Sequence, residues 1–306
     1  MILGSKKSIR INIIPLYRIN TNDPLYLFQD KIDVGYTLDL SWLDQALKSI
    51  SFKYNIVQID LTGGEISLLS DFYFELLYIL CKSYSKKVNV WTNLLNIKKS
   101  MFNHCESFNV KLNFNEYFNK QTLYNCKIAS ETDKLINVKS FDISCTNNIC
   151  YIIKALNDAK IKSWEVIPFF KSNYNKIDFR EYTSSESTIK AILKYSEQMK
   201  FVFQNKLQLD RILPIDNYNI QTAYILPENK FGFYEFKDNI CYMKTVDNSL
   251  DYINKLEELE KKRDIFCKKC TSKIMCLANY HVNTNYNGNS CSGLKQLIRD
   301  YRELKK

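Results

Sequence analysis

The sequence has little histidine and lacks the common phosphate-binding motifs. His104 and His281 are the only histidines among 306 residues, so neither a histidine-based catalytic triad nor a multi-histidine metal site is expected. Neither a P-loop nor a G-x-G-x-x-G fingerprint occurs, which excludes the usual nucleotide-binding loops. No apolar run reaches the length of about 18 residues that a membrane-spanning helix needs, and residues 1–17 contain no signal-peptide core. These absences predict a cytoplasmic protein without a membrane partner.

The chain also lacks a concentrated patch of positive charge. Its 43 Lys and Arg residues exceed its 33 Asp and Glu residues, for a formal net charge of +10. The lysines are scattered, however, and no arginine-rich stripe is present. A diffuse excess of this kind is typical of a solvated surface and also suits an acidic peptide partner. Nucleic-acid binding is the least favoured of the functions we consider.

Strand-like and helix-like segments alternate over the first two-thirds of the chain. Strands are predicted at 8–14, 55–61, 87–93, 108–114, 138–144 and 163–170, and helices at 38–50, 67–85, 148–160 and 185–200. This alternation predicts an α/β fold with a mostly parallel sheet, either open or bent into a barrel.

The pattern changes beyond residue 210. A β-hairpin is predicted at 221–236 with its turn at 227–230, and helices are predicted at 248–264 and 293–306. We therefore expect two domains, residues 1–210 and residues 211–306.

Four cysteines lie close together near the end of the sequence. Their spacing is Cys267-x2-Cys270-x5-Cys276-x14-Cys291. Four thiolates suit either Zn²⁺ or a [4Fe–4S] cluster, and the surrounding Lys, Asn, Thr and Ser residues are not typical of cysteines packed in a core. The spacing predicts one metal site, with His281 as a neighbour rather than a ligand.

Two segments then point to a known family. The stretch "IDLTGGEISLL" (59–69) resembles the Gly-Gly-Glu segment of radical S-adenosylmethionine enzymes, and "VNVWTN" (88–93) resembles the strand that follows it. The cysteine spacing is similar to one half of a SPASM domain. The resemblance implies a partial (β/α)6 barrel followed by a small SPASM-like extension that carries the four cysteines.

The resemblance also implies a cofactor site in the barrel. Its residues would be Gly63, Gly64, Glu65, Thr92 and Asn93, with the turn receiving the amino group of S-adenosylmethionine. Glu65 either receives such an ammonium group or only caps the helix that follows. We assign no acid–base role to Asp60, which precedes the same turn.

The departures from the family pattern matter as much as the match. Tyr17, Thr21 and Pro24 stand where the family has the three cysteines of its catalytic cluster. Tyr280 replaces a further SPASM cysteine, so only one of two auxiliary sites remains. Iron–sulfur ligation needs thiolates, and S-adenosylmethionine cleavage is therefore not expected. At the remaining site the resemblance favours a [4Fe–4S] cluster, whereas the loss of redox chemistry favours zinc.

The resemblance implies a role in the maturation of a ribosomally made peptide. The first hypothesis is a non-catalytic protein that binds the precursor peptide or a partner maturase, either a radical SAM or an ATP-grasp enzyme. The second is a non-radical enzyme that still uses S-adenosylmethionine or a nucleotide at Gly63–Glu65. The sequence leaves both hypotheses open and favours the first.

Overall fold

A computed structural model describes residues 6–19, 35–112, 120–140, 148–167, 182–210, 221–237, 240–267 and 301. Within these ranges no helix is both long and apolar enough to cross a membrane. The strands are β1 (Lys7–Ile13), β2 (Tyr54–Leu61), β3 (Val88–Thr92), β4 (Ser107–Lys111), β5 (Leu135–Ser140), β6 (Ser163–Val166), β7 (Val202–Phe203), β8 (Gln221–Leu226), β9 (Lys230–Lys237) and β10 (Ile240–Val246).

Seven of the eight α-helices in the described ranges alternate with the first seven strands, and the last one follows β10. The helices are α1 (Leu40–Lys53), α2 (Asp71–Tyr84), α3 (Lys99–His104), α4 (Lys120–Glu131), α5 (Ile149–Asp158), α6 (Tyr182–Leu193), α7 (Gln204–Leu209) and α8 (Ser249–Cys267). Two short 3₁₀ helices cover Ile66–Leu68 and Ser196–Gln198.

All ten of these strands belong to one sheet, in the order β10-β9-β8-β1-β2-β3-β4-β5-β6-β7. From β8 to β7 every neighbouring pair is parallel, whereas β9 is antiparallel to both β8 and β10. The expected α/β fold with a mostly parallel sheet is thereby confirmed.

One face of the parallel strands is apolar and forms the core with the helices. Ile9, Ile11 and Ile13 alternate along β1 and are fully buried, and the alternating residues of β2 to β6 join them in one cluster. Helix α1 contributes to this cluster with Leu43, Leu47 and other residues at spacings of three and four. The residues between these strand positions point to the opposite face.

Side-chain caps fix the start of the first two helices. Asp39 accepts a hydrogen bond from the Trp42 N–H at 2.7 Å and so caps α1. Ser70 accepts one from the Tyr73 N–H at 3.2 Å. Because Ser70 is the cap, α2 begins at residue 71 rather than 67, and the four preceding residues include a separate 3₁₀ turn.

The hairpin predicted at 221–236 is confirmed as β8 and β9, and it is tied to α8 by one tyrosine. Tyr252 is fully buried. Its hydroxyl accepts the Tyr224 N–H at 2.7 Å and donates to the Gly232 carbonyl at 2.8 Å. The helix predicted at 293–306 lies outside the described residues except for Tyr301. The boundary at residue 210 stays a prediction, and β8 pairs directly with β1 across it.

Candidate functional site

The turn after β2 packs directly against the segment that follows β1. Gly63 has a φ of +99°, and a β-carbon on it would lie 2.2 Å from Ile14 Cγ2. A β-carbon on Gly64 would lie 2.4 Å from the Arg18 carbonyl oxygen and 2.7 Å from that of Leu16. Both glycines are therefore required by the local geometry, since no side chain fits at either position.

Glu65 joins this turn to the end of β3. Its buried carboxylate accepts three hydrogen bonds. The donors are the Thr92 hydroxyl, the Asn93 N–H at 2.8 Å and the Ser67 N–H at 3.1 Å. The bond from Ser67 caps the 3₁₀ helix Ile66–Leu68. The structure therefore brings Glu65, Thr92 and Asn93 together with the two glycines, and hydrogen bonds join Glu65 to both Thr92 and Asn93.

The backbone of the turn is also hydrogen-bonded within the chain. The Gly64 N–H donates to Leu16 O at 3.1 Å, and the Glu65 N–H donates to Arg18 O at 2.8 Å. The Gly63 carbonyl accepts the Lys111 ammonium from the end of β4 at 3.0 Å. A ligand ammonium at this turn would compete with Lys111 for the carbonyl. The turn therefore does not fit the amino group of S-adenosylmethionine without displacing a side chain.

Tyr17, Thr21 and Pro24 are the residues that the resemblance aligns with the cysteines of a catalytic cluster. Tyr17 is fully buried, and its hydroxyl donates to Glu228 Oε2 at 2.6 Å, so this side chain links the segment after β1 to the β8–β9 turn. Thr21 and Pro24 lie outside the described residues. Of the four predicted metal ligands, Cys267 is the last residue of α8, and Cys270, Cys276 and Cys291 also lie outside them.

A band of polar side chains crosses the second face of the parallel strands, and we call it the polar face. Strand register places its members beside one another. They are Arg10, Asn12, Gln58, Asp60, Asn89, Trp91, Asn109, Lys111, Asn137, Lys139, Ser163, Glu165 and Thr222. Most of these residues are buried or half-buried.

Asp60 is the main acceptor of this band. Its carboxylate accepts hydrogen bonds from Gln58 at 2.7 and 2.9 Å, from Asn89 at 2.7 Å and from the Trp91 indole at 3.3 Å. Arg10 Nε is 4.0 Å from Asp60 Oδ2. These contacts hold the carboxylate in place, and they agree with the sequence interpretation that gave Asp60 no acid–base role.

Both cations and carboxylates lie on the same side of the sheet. Lys139 and Glu165 form an ion pair across β5 and β6. Partial burial, followed by the charge of Arg10, lowers the pKa of Lys87 from its ordinary value, while Asp60 opposes the shift. The nearby Lys139 lowers that pKa further. Arg10 and Lys139 are thus close enough to Lys87 to affect its pKa.

Two buried polar atoms of this face are unsatisfied. Arg10 and Thr222 are register partners across β1 and β8. Arg10 Nε and Thr222 Oγ1 are both buried, and neither has a hydrogen-bond partner among the described residues. Buried donors and acceptors are nearly always paired, so such atoms indicate a place for water or a ligand. Arg10 keeps 27% of its side chain exposed, which leaves a route from solvent to this place.

The sequence contains a signal for the polar face that its motifs do not reveal. Strands of a parallel sheet are usually apolar on both faces. Here "SIRINI", "VQIDL", "VNVWT", "FNVK" and "INVKS" alternate apolar and polar residues in strand after strand. Such alternation in a parallel sheet predicts that one face is lined by polar groups.

Comparison with known proteins identifies similar folds. SuiB from Streptococcus suis bound to precursor peptide SuiA aligns with a TM-score of 0.59 at 13% identity, over 74% of this chain and 59% of SuiB. This chain thus spans about three-fifths of the length of SuiB. The structure of anSMEcpe with bound AdoMet and Cp18Cys peptide aligns with a TM-score of 0.65 at 14% identity, over 97% of this chain and 96% of that one.

Comparison of sequences identifies no relative of the chain. No family model matches the chain, and no curated protein matches it.

SuiB has also been solved bound to S-adenosylmethionine, and that structure aligns with a TM-score of 0.57 at 13% identity. At such identities the likeness concerns the fold alone. The chain therefore has a mixed α/β fold, on a mostly parallel sheet, similar to that of proteins solved with S-adenosylmethionine and peptides.

Proposed function

We propose that this chain is a catalytically degenerate radical SAM/SPASM-like protein of a peptide-maturation system. In this proposal its task is to bind a precursor peptide, or a partner maturase, without radical chemistry. Residues 1–210 form a partial (β/α)6 barrel around the polar face, and residues 211–306 form the SPASM-like extension. The similarity in fold to SuiB and anSMEcpe, both solved with peptides, supports this assignment.

Two features argue against radical chemistry in this chain. Tyr17, Thr21 and Pro24 provide no thiolate for a cluster, and an iron–sulfur cluster needs several. The acceptors of the Gly-Gly-Glu turn are engaged by Lys111 and by Thr92, Asn93 and Ser67. These contacts likewise disfavour the alternative of a non-radical enzyme that uses S-adenosylmethionine or a nucleotide at this turn.

The observation that carries the proposal is the pair of unsatisfied atoms on the polar face. Arg10 Nε is a donor, and Thr222 Oγ1 can both donate and accept. A peptide backbone offers a carbonyl and an N–H that match these two groups. Asparagine side chains lie on β1, β3, β4 and β5 of the same face, and they carry the same amide groups as a backbone. An extended peptide is therefore the ligand class that suits this surface.

The C-terminal cysteines have a structural role in this proposal. Cys267, Cys270, Cys276 and Cys291 hold one [4Fe–4S] cluster or one zinc ion. Such a site links points that are distant in the tail, and its binding energy contributes to folding. No redox step is required of it.

A calorimetric titration tests the proposed function. We expect the purified chain to bind the short peptide encoded next to its gene, and to show little or no binding of S-adenosylmethionine. Binding of the peptide should weaken as salt rises, since the chain carries a net charge of +10.

Substitution of Thr222 by Val sharpens this test. The hydroxyl has no partner among the described residues, so its removal should leave the melting temperature unchanged. Affinity for the peptide should fall by about threefold to tenfold, the effect of one lost hydrogen bond. Ser67→Ala is the matched control, because Ser67 Oγ is also buried and unpartnered among these residues but lies beside the turn. Unchanged affinity in Thr222→Val, or tight S-adenosylmethionine binding lost in Glu65→Ala, would contradict the proposal.

A further inference from the structure

The outer side of α2 carries a row of exposed apolar side chains. Phe72, Leu76 and Ile79 are 73%, 41% and 54% exposed. Their spacing of four and three residues places them on one side of the helix, one turn above another. Exposed apolar side chains grouped on one side of a helix are suited to contact with another protein.

The row lies on the solvent-facing side of α2, and α1 and α3 flank this helix. On one side the Tyr84 hydroxyl donates to Asp44 of α1 at 2.7 Å. On the other side Ser100 of α3 donates to Asp71 at 2.6 Å. Neither neighbour covers the apolar row, so a flat partner surface can reach it.

Charges flank the row with opposite sign at its two ends. The exposed Asp71 and Glu75 lie in the first half of α2, and the exposed Lys82 and Lys86 lie at and beyond its end. This distribution suits the helix dipole and would not by itself indicate a partner. With an apolar centre between the two ends, however, the surface is complementary to itself in antiparallel orientation.

We propose that this surface binds a second copy of the chain across a twofold axis, with the two α2 helices antiparallel. Leu76 of one copy then lies opposite Ile79 of the other. Phe72 lies opposite the small, exposed Ser83, which leaves room for the ring. An isologous contact of this kind uses the same residues twice.

The same register brings opposite charges together. In this register the residue directly opposite Lys82 of one copy is residue 73 of the other. Glu75 lies two residues from that position, a shift of about 3 Å along the helix axis. Each dimer contains this pair twice. Glu75 also contacts His104 of its own chain at 3.3 Å, which keeps its carboxylate on this side of the helix. A single helix crest buries a small interface, so the dimer should dissociate on dilution.

Sedimentation velocity on the full chain tests the proposal. We expect a concentration-dependent species of twice the 36.2 kDa of one chain. Phe72→Lys should abolish it. Phe52→Lys is the matched control, because Phe52 is 83% exposed on α1 and lies outside the row, and it should leave dimer formation unchanged. A wild-type chain that stays monomeric at all concentrations, or a dimer unaffected by Phe72→Lys, would overturn the proposal.

A charge swap tests the register. Glu75→Lys and Lys82→Glu should each raise the dissociation constant of the dimer by about tenfold, because each creates two like-charged contacts. The double variant Glu75→Lys, Lys82→Glu restores opposite charges and should recover the wild-type constant. Circular dichroism of each variant confirms that the chain is folded. Failure of the double variant to recover association, in a folded protein, would refute the antiparallel arrangement.

Discussion

The backbone around Gly64 leaves no space for a β-carbon, because that atom would lie 2.4 Å from the carbonyl oxygen of Arg18. Backbone atoms cannot move aside as the end of a flexible side chain can. We therefore expect Gly64→Ala to lower the free energy of unfolding by about 2 kcal/mol or more, within the range seen for overpacked sites. Thermal unfolding measures this without any ligand.

Gly35→Ala is the control for this prediction. A β-carbon at Gly35 meets nothing within 4 Å, so this variant should stay within about 0.5 kcal/mol of the wild type. Equal stability of the two variants would show that the segment after β1 does not lie across the turn.

At the residue scale the sequence predicted the turn but not its contacts. The Gly-Gly-Glu stretch, Thr92 and Asn93 follow neighbouring parallel strands, whose carboxyl ends meet at one edge of the sheet. Lys111 belongs to no motif and follows Gly63 by 48 residues, so only the folded chain reveals its bond to the Gly63 carbonyl. Arg10 and Thr222 are likewise brought together only by strand pairing.

At the scale of elements, the hydroxyl of Tyr252 joins α8 to β8 and β9. Tyr252→Phe leaves the Tyr224 N–H and the Gly232 carbonyl without the bonds that this hydroxyl makes. Loss of a partner for buried polar groups costs about 1–3 kcal/mol, so the melting temperature should fall by several degrees. Differential scanning calorimetry of the full chain measures the change.

Tyr54→Phe provides the comparison. Its hydroxyl is buried and has no hydrogen-bond partner among the described residues. Burial, followed by the charges of Glu257 and Glu260, raises the pKa of Tyr54 to about 12, so its hydroxyl is neutral at physiological pH. Its removal should not destabilise the chain. If Tyr54→Phe costs as much as Tyr252→Phe, the bonds of Tyr252 are not the reason for the loss.

Periodicity and caps predicted several long elements but missed the twelve-residue α4, whose buried positions include Thr122 and Asn125 rather than large apolar side chains. Helix α1 has a capping aspartate and regular apolar spacing, and its position was confirmed. Helix α3, with six residues, and β7, with two, are too short to show a period. Strand β5 begins three residues before the prediction, because Ile136 and Asn137 continue the alternation of residues 138–139 and only the pairing with β4 sets its start.

The C-terminal cysteines belong to the same scale, since they follow α8. We expect one metal ion or cluster per chain, and Cys267→Ser with Cys270→Ser should remove most of it and lower the melting temperature. Elemental analysis measures the metal, and a brown colour would indicate iron–sulfur rather than zinc. Cys150→Ser, a change of an exposed cysteine on α5, should retain the metal. Full metal content in the double variant would show that the ligands lie elsewhere.

Across the whole molecule, the fold class could be predicted because strands and helices alternate along the chain. The polar face could not be predicted from motifs, since it draws one or two residues from each of seven strands. The polar face is rich in amide side chains, and the chain that carries it has a net positive charge. The fold is similar to that of proteins solved with S-adenosylmethionine, and the acceptors of the Gly-Gly-Glu turn are engaged by groups of the chain itself.

The measurement that tests this account most directly is the formation of 5′-deoxyadenosine. The chain is reconstituted with iron and sulfide, then incubated anaerobically with S-adenosylmethionine and a strong reductant. Because Tyr17, Thr21 and Pro24 offer no thiolate at the positions that the resemblance aligns with the cluster cysteines, we expect no 5′-deoxyadenosine above the control without protein. Formation of 5′-deoxyadenosine that requires the protein would contradict the account and show that radical chemistry survives in this chain.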